Sequence, residues 1–152
     1  MEGQDVHLFV FDGLSDWEAG YAVAGINHPQ FQRQPGRYRV RTVAPHKGCV
    51  VTMGGIRIQP DLTLDALWPA NSAMLILARG GLLDDRRHTS NAPEYLAATR
   101  YRGAALYEDA PAVTDRNVVT ASGTAPLDFA LHIFRLLDVY TPAVLDAWYN
   151  LL

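Results

Sequence analysis

A chain of 152 residues fits one domain, since domains usually run to about 100–200 residues. Apolar residues make up 49% and charged residues 19%, enough core-forming material to exclude a disordered polyelectrolyte. The 13 basic and 16 acidic residues leave a net charge of −3, which excludes the basic footprint of a nucleic-acid binder. The single cysteine, Cys49, excludes an intramolecular disulfide framework and any multi-cysteine metal site. The start, Met1 to Asp5, has no basic, apolar leader pattern. The longest aliphatic run, Ala73 to Ala78, is far short of the ~20 apolar residues that span a bilayer. The expectation is a cytoplasmic protein with no membrane contact.

Val6 to Phe11 is a short, nearly unbroken apolar run closed by the Asp12-Gly13 turn, as in a strand buried on both faces. Ser15 to Ile26 reads as a helix, with Ser15 and Glu18 in the spacing of a capping box and Asn27-His28-Pro29 as its stop. Tyr38 to Val43 alternates as a second strand. Val50 to Met53 and Ile56 to Ile58 flank Gly54-Gly55, the signature of a two-residue primed turn. Ala73 to Leu77 is another buried-type strand, and it runs directly into Ala78-Arg79-Gly80-Gly81 with no turn between. Asn91 to Ala98 reads as a short helix with Asn91 as N-cap and Glu94 at the capping-box position. Ala112 to Thr114 and Val118 to Thr120 flank a second hairpin turn. Ala125 to Leu137 carries a continuous apolar stripe, with Thr124 as cap, Pro126 in the first turn and Asp128 at the positive end of the dipole. A last short helix follows Pro142. This order indicates an α/β sandwich with a largely parallel sheet.

The chain has no phosphate loop, dinucleotide fingerprint or zinc spacing. No metal or organic cofactor is expected. His7, within a strand, and His132, within a helix, read as structural residues. His46-Lys47-Gly48-Cys49 reads as an exposed loop rather than a catalytic pair, because Cys49 enters a hairpin strand and not a thiolate-stabilising helix terminus. Two segments carry more. Asp16 and Glu18 lie just past the carboxyl end of the first strand, where open α/β sheets bind ligands. Glu18 has a competing reading as the cap partner of Ser15. Arg86 to Asn91 is a polar loop entering a helix, readable also as a solvated turn with an N-cap.

Read together, five stretches resemble the ThiJ/PfpI family of the class I glutamine amidotransferase-like superfamily, which includes the parkinsonism-associated deglycase. They are Phe11-Asp12-Gly13-Leu14-Ser15-Asp16-Trp17-Glu18, Met53 to Asp61, Ala73 to Leu77, Gly81 to Asn91, and Thr120-Ala121-Ser122-Gly123-Thr124-Ala125-Pro126. The resemblance covers nearly the whole chain in order. It implies a flavodoxin-like three-layer sandwich with a mostly parallel sheet. It also implies a cysteine nucleophile on a tight strand-to-helix elbow, an acid from the first strand–helix junction and a loop histidine. Glu18 matches the acid and His88 the histidine.

The chain departs from that pattern at one junction. The family continues the strand equivalent to Ala73–Leu77 through a Pro-Gly-Gly turn and a helix into a further strand that carries the cysteine. Here Leu77 is followed at once by Ala78, in a string that resembles the end of a later helix. One central strand and its adjoining helix, on the order of 30 residues by the size of a βαβ unit, have no counterpart. The nucleophile goes with them, and Cys49 is no substitute because its matching position is a loop before the hairpin. Either this chain lacks a segment that its parent carries, or it is a natural internal deletion. The first reading makes it a shortened cysteine hydrolase, hydratase or deglycase of small molecules, inactive at this length. The second makes it a non-catalytic pseudoenzyme or interaction domain that dimerises to cover the broken sheet.

Overall fold

The computed structural model describes residues 3–66, 72–76, 83–97 and 102–151. The elements in chain order are β1 (Gln4–Phe9), α1 (Gly20–Asn27), β2 (Tyr38–Ala44), β3 (Val50–Val51), β4 (Arg57–Ile58), β5 (Leu62–Thr63), β6 (Ser72–Ile76), α2 (Pro93–Ala97), β7 (Ala112–Asp115), β8 (Val118–Ala121), α3 (Pro126–Leu136) and α4 (Pro142–Asn150). Four strands form a parallel sheet in the order β5-β2-β1-β6. Two separate hairpins, β3-β4 and β7-β8, complete the strand inventory of the described residues. The Leu77–Ala78 junction lies outside them. This is the expected α/β, flavodoxin-like architecture.

The apolar stripe of α3 explains how the layers hold together. Ala130, Leu131, Ile133, Phe134 and Leu137 pack with Val6 of β1, Ala22 and Ile26 of α1, and Leu145 of α4. Burying a side chain such as Phe134 or Ile133 contributes roughly 1.5–3 kcal/mol, so this one face anchors helix, sheet and C-terminal segment. A second cluster, Leu8, Val10, Ala19, Ala44 and Val50, joins the carboxyl ends of β1 and β2 to the β3–β4 hairpin. Among the described residues, no helix is long and apolar enough to cross a membrane.

Several local expectations are corrected. The first helix begins at Gly20, not Ser15, and its N-cap is Ala19 with no side-chain cap. The Ser15–Glu18 capping box therefore does not start this helix; residues 16–19 form turns instead. The β3–β4 turn is wider than two residues. The Thr52 N–H donates to Ile56 O at 2.9 Å and Gly55 N–H to Thr52 O at 3.0 Å. Gly55 alone of the glycine pair takes a positive φ, 85°, which fits a three-residue loop ending in a left-handed residue. Strand β5 carries no alternation long enough to read in sequence. Neither Asn91 nor Thr124 caps a helix: α2 starts at Pro93, and the N-cap of α3 is Ala125 without a side-chain bond. The Thr124 hydroxyl instead lies 2.9 Å from Ser122 Oγ. At α4 the cap is regular, with Thr141 Oγ1 accepting from the Val144 N–H.

Candidate active site

The site grows from the segment between β1 and α1. Residues 11–16 run against the first hairpin, where Gly13 N–H donates to Val51 O and Met53 N–H to Leu14 O. Asp16 completes this attachment. Its carboxylate accepts the Thr52 hydroxyl at 2.5 Å and the Gly54 N–H at 2.7 Å. The Thr52 bond, helped by the Gly54 N–H, holds the Asp16 carboxyl below the usual carboxylate range against some desolvation. Asp16 is thus committed to structure.

The next two residues turn to a different loop. The Trp17 indole N–H donates to Gly123 O at 2.9 Å. Glu18, half-buried, brings Oε1 to 3.0 Å from the point where a Cβ on Gly123 would sit. Asn91 Oδ1 comes equally near that point and also accepts the Gly123 N–H. Ser122 Oγ, 3.4 Å from Asn91 Oδ1, borders the same spot. Glu18, Gly123 and Asn91 therefore meet at the carboxyl end of β8, just ahead of α3.

His88 is reached through the loop that carries Asn91. That loop is laid along the second hairpin by Arg87 N–H donating to Asp115 Oδ2 at 2.8 Å and Thr89 N–H donating to Thr120 Oγ1 at 2.9 Å. The Arg87 N–H and the neighbouring arginines hold Asp115 below its ordinary range, although desolvation opposes them. His88 itself is 0% exposed. Its backbone bridges to the segment around Tyr107, with N–H to Leu106 O and C=O from Glu108 N–H. The ring stands edge-on to Tyr107 at 5.8 Å. Nδ1 lies 2.6 Å from Arg86 O. A carbonyl only accepts, so Nδ1 carries a proton and donates it to Arg86 O, which fixes the orientation of the ring.

The structure thus gathers Glu18 with Asn91, Gly123 and Trp17, and it holds His88 three positions before Asn91 as a fully buried ring. Asn91 and Gly123 were not legible as site residues, although a glycine between small polar residues ahead of a proline-started helix marks a place of close backbone approach. Cys49 sits exposed in its loop, with its thiol 3.6 Å from Val50 O. His7 is buried in the sheet, and His132 bonds Thr114 Oγ1 at 2.8 Å. Among the described residues, no group of three or more His, Cys, Asp or Glu side chains could hold a metal ion.

Comparison with known proteins gives the chain its relatives. Residues 70–136 match the DJ-1/PfpI family. The uncharacterized protease YoaZ of Bacillus subtilis is 33% identical, with 99% of this chain and 91% of that protein covered. The YoaZ match extends over 192 aligned positions, so at least 40 of them face no residue of this 152-residue chain. A ThiJ/PfpI family protein of Bacillus anthracis superposes with a TM-score of 0.87 at 35% identity, covering 99% of this chain and 91% of that one. The DJ-1 superfamily protein Atu0886 of Agrobacterium tumefaciens follows at 0.83 and 26% identity, covering 97% of this chain and 96% of that one. By fold, by sequence and by the matched segment, the chain belongs to the DJ-1/PfpI family.

Proposed function

We propose that this chain is a shortened form of a cysteine-dependent enzyme acting on small carbonyl or amide substrates. Its missing nucleophile belongs between Leu77 and Ala78. The observation that carries the reading is Glu18, which is not consumed by a helix cap but lies beside Gly123 at the carboxyl end of the strands. In the complete enzyme Glu18 hydrogen-bonds the cysteine and steers its ionisation, while His88 moves the proton between thiol and substrate. The Nδ1–H bond to Arg86 O suits that role, because it holds the ring in one orientation. The unmatched positions in the YoaZ alignment are of the number that an omitted helix and strand would leave, which supports the reading. At 152 residues the chain has no elbow cysteine and is inactive.

The test restores the segment. Inserting the corresponding stretch of the Bacillus relative between Leu77 and Ala78 is expected to yield thiol-dependent turnover of small carbonyls, amides or isonitriles, abolished by E18A. A restored, folded protein with no reactive thiol overturns the reading. An intact mass above 16.8 kDa for the natural protein supports omission of the segment.

The edge of β6 favours a second reading. Among the described residues only β1 pairs with β6, leaving its other edge without a strand. A non-catalytic domain could cover that edge by dimerising. Light scattering that returns a cooperatively melting monomer removes this reading.

A further inference from the structure

Asp16, Trp17 and Glu18 are consecutive, yet they serve two separate loops. Asp16 is tied to the hairpin through Thr52 and Gly54, whereas Trp17 and Glu18 both meet Gly123. Gly123 is gripped at both ends: its N–H donates to Asn91 Oδ1, and its C=O accepts from the Trp17 indole N–H. Glu18 Oε1 and Asn91 Oδ1 each lie 3.0 Å from the same vacant Cβ point, so the two oxygens are within twice that distance of each other. Both are acceptors and neither can donate to the other. What keeps them together is the peptide between them, held by bonds on its two polar groups, and the bare Cα that lets both approach. Any side chain at 123 would meet both oxygens at a distance tighter than ordinary van der Waals contact.

We propose that Asn91 and Trp17 are positioning residues for Glu18: by holding Gly123 from its two sides they fix the backbone surface against which the Glu18 carboxylate lies. The inference rests on the reading of Glu18 as the acid of the site. It adds two residues that act on Glu18 through the Gly123 peptide.

The test uses the 152-residue chain labelled with ¹³C and ¹⁵N. In N91L the Gly123 amide is expected to exchange about tenfold faster or more, the consequence of losing one hydrogen bond. The Glu18 Cδ resonance is expected to shift in the same variant. W17F, which frees the Gly123 carbonyl and leaves Asn91 intact, is expected to shift Glu18 Cδ as well. In both variants the amide pattern of β1 and β2 stays that of the parent, which separates positioning from loss of fold. Glu18 Cδ unmoved in both folded variants overturns the proposal. If N91L fails to fold, the W17F result decides alone. A restored enzyme without a reactive thiol would remove the role of Glu18 and leave the clamp standing; an unmoved Glu18 would remove the clamp and leave that role untouched.

Discussion

The indole N–H of Trp17 donates to the carbonyl oxygen of Gly123 at 2.9 Å, joining positions 106 residues apart. This bond couples the turn after β1 to the loop that starts α3, the two segments that meet at Glu18. Trp17 is 51% exposed, so water can replace the lost donor when the indole is removed. W17F is therefore expected to cost only about 0.5–1.5 kcal/mol, the net worth of one hydrogen bond. Urea denaturation followed by far-UV circular dichroism measures it.

Gly25 packs against the tip of the Phe134 ring. A Cβ at position 25 would fall 2.3 Å from the ring Cζ, and Phe134 is 1% exposed and hemmed by Tyr140 and Trp148. The ring has nowhere to retreat. G25A is expected to destabilise by about 1–3 kcal/mol or more through overpacking, despite the better helix propensity of alanine. A lowered urea midpoint with unchanged slope is the expected signature.

Asp138 ends α3 in a left-handed conformation, φ 52°. The Val139 N–H donates to Phe134 O and the Asp138 N–H to Arg135 O, the two bonds of a Schellman motif. Asp is a poor residue for that position, both for its Cβ and for its negative charge at the carboxyl end of the helix. The exposed ion pair with Arg33, 2.6 Å, offsets little of this. D138G is expected to stabilise by about 0.5–1 kcal/mol, read as a raised melting temperature.

Much of the fold could be read from residue pattern alone. Helix α3 announced itself by its apolar stripe and Pro126, and β6 by an uninterrupted aliphatic run. The start of α1 could not be read in this way. A Ser-x-x-Glu spacing favours a cap at Ser15, but the side chains that decide the geometry belong to Asp16 and Glu18, whose neighbours are Thr52, Gly54 and Gly123. Local pattern cannot see neighbours so distant in sequence. The same holds for Asn91: its residue type and place suit an N-cap, yet its oxygen is taken by a backbone N–H 32 positions away. The segments of Glu18 and His88 stood out by position and polarity, but the roles of acid and histidine come from resemblance to a family.

Acid sensitivity should come in two stages. Desolvation holds His7 below its ordinary 6.5, with Arg41 adding to it and Asp5 opposing; for His132, desolvation and Arg135 act together against Asp128. Both stay neutral in the folded chain while the unfolded chain takes up protons, so stability is full above that value and falls as pH drops through it. The carboxylates of Asp16 and Asp115, lowered by hydrogen bonds from Thr52 and from the Arg87 N–H respectively, act later. Their contribution is present above the ordinary 3.8 and is lost as pH falls through their lower folded values. Urea midpoints are expected to decline between pH 7.5 and 5.5, more gently in H132Q, and to decline again below about pH 4.

The most direct test of the proposed function is the rate of thiol alkylation, measured on the 152-residue chain and on the chain restored between Leu77 and Ala78. In the short chain Cys49 is the one thiol, and its labelling is expected to be slow and unchanged by E18A. The restored chain is expected to show an additional fast thiol whose rate falls in E18A. Fast, Glu18-dependent labelling of Cys49 in the short chain, or no fast thiol in a folded restored chain, would contradict the account.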